Sequence, residues 1–218
     1  MFGVSQAVVN TFCGKYPAFK EKAAVFYNVI NVNDIRKKAN ENVQIPFKKN
    51  TFNILTVGRL TEQKGYDIAI GAAAILAKRK IEFTWYVIGS GRDERKLKRL
   101  AADNHSLENR FVFLGQKKKP YPYMKNCDLY VQPSRHEGYG ITLIEARVLC
   151  KAILASDIPP FREQIEDGVN GYFAELTCVS FADKIGYLYK NPGKIKNICC
   201  SGNYSVDFSS ELQKIEEI

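Results

Sequence analysis

Residues 52–58 read Phe-Asn-Ile-Leu-Thr-Val-Gly, and residues 83–89 read Phe-Thr-Trp-Tyr-Val-Ile-Gly. Both runs are apolar and rich in β-branched and aromatic residues, which predicts strands that are buried on both faces. Between them, the pattern of an amphipathic helix extends from about Tyr66 to Lys80. A helix in this position carries the chain back over the sheet, so the two strands are predicted to be parallel.

The alternation of short apolar runs with amphipathic stretches continues to about residue 200. Further strands are predicted at 110–114, 128–132 and 152–155, and further helices near 93–103, 121–125, 141–149, 160–166, 181–189 and 193–200. This alternation is typical of a parallel sheet that is covered on both faces. We therefore predict one doubly wound α/β domain over residues 51–200, because a chain of 218 residues is short for two full α/β domains.

The two ends of the chain fit this pattern less well. A helix is predicted from Val4 to Phe12 and a short strand from Ala24 to Tyr27, and the polar, basic stretch 31–46 is interpreted as part of a connector. Near the other end, a helix is predicted to open at residues 208–211, with Ser209 or Ser210 as its N-cap, and to run to residue 217. Residues 1–50 and 201–218 are thus expected to lie outside the central domain.

The composition restricts the class of protein and its partners. Thirty-two Lys and Arg against 23 Asp and Glu give a net charge of +9, which suits a nucleotide, a phospholipid surface or a nucleic acid. No zinc-finger, helix-turn-helix or RNA-recognition pattern is present, so nucleic acid is not predicted as a partner. The six cysteines form no CxxC pair, and no apolar run is long enough to span a membrane. We expect a cytoplasmic protein whose membrane contact, if it has one, is peripheral and at the inner face.

The first strand-to-helix loop, residues 58–65, reads Gly-Arg-Leu-Thr-Glu-Gln-Lys-Gly. Ligands of open parallel sheets bind at the carboxyl ends of the strands, where such loops lie. Arg59 and Lys64 place two cations beside a helix N-terminus, a combination that suits a diphosphate without a metal ion. A surface loop with two solvated cations is the alternative interpretation.

The second loop, residues 88–92, reads Ile-Gly-Ser-Gly-Arg. Its glycines, Gly91 among them, would let a nucleotide approach the backbone closely. A tight turn into the following helix explains the same residues equally well.

The third loop, residues 133–146, carries the strongest signal and reads Pro-Ser-Arg-His-Glu-Gly-Tyr-Gly-Ile-Thr-Leu-Ile-Glu-Ala. Glycines at 138 and 140 allow the amides of residues 139–142 to point into a cleft at the positive end of a helix dipole, where an anion is favoured. Glu145, in the helix, is placed to accept hydrogen bonds from the paired hydroxyls of a ribose, and Glu137, in the loop, to hold sugar hydroxyls. An acid/base pair of the two carboxylates is the alternative.

Several of these segments together resemble group 1, or family 4, glycosyltransferases. The resemblance rests on residues 58–65, 89–91, 113–115, 128–134, the Glu137 to Glu145 element and 167–171, in that order, and covers roughly residues 50–176. It implies one half of a GT-B architecture: a Rossmann-like domain that binds a nucleoside-diphosphate sugar and transfers the sugar with retention of configuration. Residues 27–31 resemble the interdomain junction of the family, so residues 1–50 are interpreted as a remnant of the N-terminal domain plus a connector. The resemblance also implies that residues 201–218 form the C-terminal helix that crosses back to the N-terminal domain.

The resemblance implies a role for each matching residue, and no bound metal. Arg59 and Lys64 would bind the donor diphosphate and assist catalysis with Glu137, which would hold the transferred sugar, while Glu145 would bind the ribose. The binding residues also include Gly91, Gln116, Gly138, Tyr139, Gly140, Ile141 and Thr142. The expected partners are a nucleotide-sugar donor and a saccharide or lipid-linked acceptor, in polysaccharide or glycoconjugate synthesis.

Departures from the family pattern and other classes of function stay open at this point. Cys150 and Ala152 stand where the family usually has Gly and Pro, which predicts altered packing without lost chemistry, and Asn28-Val29 stands for Asn-Gly, which predicts a stiffer hinge. A non-catalytic nucleotide-sugar-binding module, or a half-enzyme completed by a partner chain, would bind the donor without turnover by this chain alone. A phosphorylase or an epimerase is not excluded by composition.

Overall fold

The structure is a computed structural model that describes residues 1–149 and 151–201, so the helix predicted at 208–217 lies outside the described residues. In this part of the chain, no helix is both long and apolar enough to cross a membrane. The helices and strands follow one another as β1 (Phe2–Gly3), α1 (Gln6–Lys15), β2 (Ala24–Val25), α2 (Val32–Ala39), β3 (Phe52–Val57), α3 (Tyr66–Lys78), β4 (Phe83–Ile88), α4 (Glu94–Ala102), β5 (Phe111–Phe113), α5 (Tyr121–Asn126), β6 (Leu129–Gln132), α6 (Ile141–Val148), β7 (Ile153–Ser156), α7 (Pro159–Arg162), β8 (Tyr172–Ala174), α8 (Cys178–Lys190) and α9 (Pro192–Ser201).

The central sheet contains six parallel strands in the order β5-β4-β3-β6-β7-β8. The chain starts in the middle at β3, runs outward through β4 and β5, and then returns to β6 and continues toward the other edge. Strand β3 therefore has a partner on each side, with Leu55 opposite Tyr86 of β4 and Tyr130 of β6. This reversal of direction is a topological switch point, and the prediction of a Rossmann-like, doubly wound α/β fold is confirmed.

Apolar residues cover both faces of this sheet, as the nearly continuous apolar runs of its strands require. One face buries Phe83 and Trp85 with helices α3 and α8, and the other buries Tyr86 and Tyr130 with α5 and α6. The indole of Trp85 donates a 3.0 Å hydrogen bond from Nε1 to Oγ1 of Thr56, so its polar atom is satisfied inside the core. The sheet is thus held rigidly from both sides, which fixes the loops at its carboxyl edge.

Three elements differ from the sequence predictions. Strand β8 was not predicted, because it is only three residues long. It follows the turn at 167–171 and pairs with β7 at the edge of the sheet. Helix α2 was not predicted in the basic stretch 31–46, since it buries only Ile35 and Ala39. The helix predicted from Val4 begins at Gln6, because Ser5 is its N-cap.

The first 25 residues form a small unit of their own. Strands β1 and β2 pair in parallel as a two-stranded sheet, and α1 connects them. The unit packs on the Rossmann-like domain with α1 against α7, and the fully buried Ser5 donates a hydrogen bond to Gly138 in the loop before α6. A short segment ahead of the main domain is therefore part of the surroundings of the third loop.

Candidate functional site

Two helices at the switch point begin with a glycine instead of a capping side chain. Helix α3 follows Gly65 with φ of 66°, and α6 follows Gly140 with φ of 91°, and neither receives a side-chain cap. By contrast, α1, α2 and α8 are capped by the side chains of Ser5, Asn31 and Thr177. The first N–H groups of a helix lack partners within the helix. At α3 the Asp67 carboxylate accepts those of Asp67 and Ile68, whereas the first turn of α6 contains no acidic residue, so the positive end of α6 is left for another anion.

Both glycines are required by close packing as well as by their dihedral angles. A side-chain carbon at Gly65 would collide with the carbonyl oxygen of Pro133, and one at Gly140 would lie 2.5 Å from Cε1 of Phe161. The first contact brings the loop after β3 against the loop after β6. The two loops that sequence analysis singled out most strongly therefore form one continuous wall of the cleft.

A buried ion pair joins these two loops. Lys64 Nζ lies 2.6 Å from Glu137 Oε1, and their side chains are only 11% and 7% exposed. The same carboxylate oxygen accepts hydrogen bonds from Ser134 Oγ at 2.7 Å and Gln132 Nε2 at 3.3 Å. Three donors on one oxygen hold the Glu137 carboxylate in a fixed position, and its other oxygen has no bond to this cluster.

Arg59, from the same loop as Lys64, is exposed and lines an open cleft of about 640 Å³. Gly91, Arg92 and Arg135 line this cleft too, so its walls are basic. Arg135 is held by Asp67 in a two-armed ion pair that lowers the pKa of the Asp67 carboxyl, chiefly through the guanidinium hydrogen bonds. The structure thus places the two predicted cations differently, one paired inside the wall and one facing solvent.

The glycine-rich turn after β4 packs against the neighbouring loops. A side-chain carbon at Gly91 would meet the backbone of Leu60, and Leu60 N–H donates to the Ser90 carbonyl at 2.9 Å. On its other side, the Ser90 hydroxyl lies 3.3 Å from Gln116 Oε1. These contacts support the tight-turn interpretation, and they also align the loops after β3, β4 and β5 side by side along the cleft.

Glu145 lies one turn into α6 and is largely buried. It accepts a 2.8 Å hydrogen bond at Oε1 from the hydroxyl of Tyr121, at the start of α5. Burial raises the pKa of the Glu145 carboxyl, and the Tyr121 hydrogen bond partly opposes that rise. The two glutamates of the element are therefore held by different partners at different depths, which does not resemble a matched acid/base pair.

The remaining predicted residues surround the start of α6. Gly138 and Tyr139 form the turn, where the Tyr139 ring packs on Tyr27 with centroids 5.1 Å apart. Ile141 is 45% exposed, and Thr142 Oγ1 lies 3.4 Å from Gln132 Oε1. The structure thus gathers all the predicted residues along the carboxyl edge of β3 to β6. No group of three or more His, Cys, Asp or Glu in the described part of the chain could hold a metal ion, and metal independence stays a prediction.

The family model described as glycosyl transferases group 1 matches residues 37–200. The chain belongs to this family. Its fold agrees: HepE of Anabaena, solved in complex with UDP and glucose, superposes with a TM-score of 0.81 at 23% identity, covering 99% of this chain and 61% of HepE. The C-terminal domain of LpcC, a group 1 family protein of Francisella tularensis, superposes with a TM-score of 0.64 at 25% identity, covering 81% of this chain and 91% of that domain.

Among curated relatives, this group 1 chain is similar to a Campylobacter jejuni enzyme named N-acetylgalactosamine-N,N'-diacetylbacillosaminyl-diphospho-undecaprenol 4-alpha-N-acetylgalactosaminyltransferase. The two are 28% identical over 187 residues, which cover 81% of this chain and 49% of the relative. The chain spans between 40% and 49% of the length of the first curated relatives it matches.

Sequence reasoning missed several residues that shape this group 1 site. Tyr121 carried no motif, and its contact with Glu145 depends on how α5 packs against α6. Ser134 and Gln132 did carry a signal, since both are polar residues at the carboxyl end of a buried strand within five positions of Glu137. Ser5, 133 positions before Gly138, had no signal at all.

Proposed function

We propose that this chain is the nucleotide-sugar-binding half of a retaining glycosyltransferase, with residues 51–200 as its donor-binding domain. One observation carries the proposal: helix α6 begins at the switch point with neither a side-chain cap nor an acidic residue in its first turn, and Lys64, from the same loop as Arg59, is bonded to Glu137 just before it. A helix N-terminus and two cations form a site for an anion with several charges. A nucleoside diphosphate matches that chemistry, and a sugar attached to it would extend toward Glu137.

In this proposal the cleft stabilises the diphosphate as it leaves the sugar. Arg59 has its guanidinium free to grip two phosphate oxygens, and Lys64 supplies a fixed point charge. The amides from Tyr139 to Thr142 add donors that are already oriented, so little reorganisation is needed as charge develops. These groups together neutralise the leaving group, which supports metal-independent transfer.

The two carboxylates bind different parts of the donor: Glu137 binds the transferred sugar and Glu145 binds the ribose. Glu137 uses one oxygen for Lys64, Ser134 and Gln132, which leaves the other to accept bonds from hydroxyls of the transferred sugar. Glu145, one turn into α6, would bind the ribose hydroxyls, with Gly91 and Gln116 along the path toward the base. Retention of configuration is part of the proposal because the chain resembles retaining enzymes. The anomeric configuration of the product, read by NMR, tests it.

The relatives point to the donor and acceptor classes. HepE was solved with UDP and glucose, and the Campylobacter enzyme is named for an acceptor linked to diphospho-undecaprenol. A uridine nucleotide sugar as donor and a saccharide or lipid-linked acceptor, in glycoconjugate or polysaccharide synthesis, follow as the proposal for this chain. A partner chain that supplies an acceptor-binding domain fits the same scheme.

A basic face offers a route to an acceptor at a membrane surface. It is formed around α2 and α5 by Arg36, Lys37, Lys38, Lys119, Lys125 and Lys151. Lys119 is paired with Glu41 at 2.8 Å, and Lys125 bonds to Asn40, so these cations lie together at the end of α2.

Each lysine or arginine near an anionic bilayer contributes about 1 kcal/mol to membrane binding. The protein should bind anionic vesicles in low salt and release them in high salt, and neutralising Lys37, Lys125 and Lys151 should weaken binding more than neutralising Arg95, Lys96 and Arg99 of α4.

Calorimetry with UDP, GDP and ADP, in the presence and absence of EDTA, tests the donor site. We expect one nucleotide to bind regardless of EDTA, and Arg59→Ala and Glu145→Ala to abolish its binding. Arg79→Ala and Glu82→Ala are matched controls, since they remove a cation and a carboxylate that form ion pairs away from the cleft.

The outcomes separate the alternatives. If Arg59→Ala and Glu145→Ala bind the nucleotide as tightly as the wild type does, the nucleotide lies elsewhere and the proposal is overturned. Binding without sugar transfer would favour a binding module or a half-enzyme completed by a partner chain, and adding a candidate partner would then distinguish those two.

A further inference from the structure

Ser5 connects the small N-terminal unit to the third loop. Its hydroxyl accepts the N–H of Val8 at 3.2 Å, as the N-cap of α1, and donates to the carbonyl oxygen of Gly138 at 2.6 Å. The Gly138 carbonyl and the Tyr139 N–H belong to one planar peptide unit, so fixing the oxygen fixes the direction of the N–H. A serine outside the Rossmann-like domain therefore aims the first amide of the predicted phosphate cradle.

Glu163 makes the reverse connection. Its carboxylate accepts the N–H groups of Gln6 at 2.9 Å and Ala7 at 2.8 Å, and also the hydroxyl of Tyr27 at 3.2 Å. A carboxylate at the N-terminus of a helix is favoured by the helix dipole. The start of α1 is thus held by one residue from within the unit and by one from the domain that carries the cleft.

The same turn is held from two further directions. The Tyr139 ring packs on Tyr27, and the Tyr139 carbonyl accepts a hydrogen bond from the buried side chain of Gln164. A side-chain carbon at Gly138 would lie 3.1 Å from Cγ2 of Val4, so the unit contacts this turn closely. We call these contacts, made by Ser5, Tyr27 and Glu163, the clasp.

We propose that the clasp presets the Gly138–Tyr139 peptide for the donor, with Ser5 and Glu163 as positioning residues that never touch it. The inference rests on the proposed function, because it assigns the Tyr139 N–H to the donor. Linkage makes the effect reciprocal: a clasp that improves donor binding is itself strengthened when the donor binds. The orientation of the N-terminal unit would thereby report on occupancy of the cleft.

Ser5→Ala tests the clasp in the full chain. We expect the dissociation constant of the preferred nucleotide to rise about fivefold, the size expected for one hydrogen bond, and exchange of the Tyr139 amide hydrogen to accelerate without nucleotide. Thr177→Ala is the matched control, since it removes the side-chain cap that Thr177 provides to the Ser180 N–H at the start of α8, at a similar cost in stability. A purely structural role for Ser5 predicts unchanged affinity in both variants, and that result would overturn the proposal.

Glu163 supplies the conservative rescue. Glu163→Gln keeps an oxygen that accepts one backbone N–H, whereas Glu163→Ala keeps none, so affinity should fall in the order wild type, Gln, Ala. Identical values for all three would contradict the clasp. If the wild type binds none of UDP, GDP and ADP, the proposed function fails, while exchange at Tyr139 still tests the clasp by itself.

Discussion

The two glutamates of the third loop have seven residues between them and yet occupy opposite electrostatic settings. Glu137 is paired with Lys64 at 2.6 Å inside the wall of the cleft. Glu145 accepts a hydrogen bond from the hydroxyl of Tyr121, a neutral group, and burial raises the pKa of its carboxyl. Helix α6 begins after Gly140, which lies between the two glutamates in the sequence.

The difference shows how one short element can serve two parts of a ligand. Because Glu137 is already bonded to Lys64, Ser134 and Gln132, its position is fixed before any ligand arrives. Glu145 lacks such a partner, and a ligand that donates hydrogen bonds to it would relieve the cost of its burial. We therefore expect the position of Glu137, at the sugar end of the cleft, to change little when a ligand binds. We expect binding at the ribose end, near Glu145, to depend on pH.

Lys64→Ala should have the largest effect, because it leaves the Glu137 carboxylate buried without its cation. Breaking a buried pair on one side costs about 3 kcal/mol or more, and sugar transfer should fall at least a hundredfold as Glu137 and the leaving-group charge are lost together. Urea unfolding and initial rates measure both effects. Lys98→Ala is the control, since its pair with Glu94 is exposed and should contribute no more than about 0.5 kcal/mol. If Lys64→Ala and Lys98→Ala lost equal amounts of stability and rate, the buried pair would contribute no more than the exposed one.

Gly140→Ala should have the next largest effect, because Gly140 lies between the two glutamates at the start of α6. The residue has φ of 91°, and its new methyl carbon would lie 2.5 Å from Phe161, so the fold should lose about 2 kcal/mol and nucleotide affinity should fall as the amides shift. Gly193→Ala is the matched control, since a side-chain carbon at that position in α9 would have no atom of the described residues within 4 Å. Chemical unfolding and calorimetry measure the two quantities. Unchanged affinity in a folded Gly140→Ala protein would remove the amides of α6 from the donor site.

How far the sequence anticipated this architecture depends on the range of the interactions. Strands β3 and β4 were predicted because each buries a continuous apolar run, and Glu137 and Glu145 because their spacing is local. The contact between Gly65 and Pro133, which joins the first and third loops, follows from strand order and so emerged only with the sheet.

The missed features depend on weak or distant signals. Helix α2 buries only Ile35 and Ala39, and two apolar positions do not establish a period in a basic segment. The Ser5 bond to Gly138 crosses 133 positions between separate structural units, so no local pattern contains it.

The smallest predicted effect concerns the protonation of Glu145 and tests the ribose end directly. Burial raises the pKa of the folded Glu145 carboxyl above its ordinary value of 4.5, so the protonated form is favoured in the fold. The stability that this form contributes is fully present below pH 4.5 and is lost as pH rises through the folded pKa. Nucleotide affinity should change in the opposite direction and strengthen over the same interval, since the ionised carboxylate is the better acceptor for ribose hydroxyls. Tyr121→Phe removes the bond that lowers this pKa, so both transitions should move to higher pH, and Glu145→Gln should abolish them. Calorimetric titrations at several pH values between 5 and 8 measure the shift. Superimposable pH profiles for the wild type and both variants would show that Glu145 does not control the ribose end, and the contrast between the two glutamates would then be structural only.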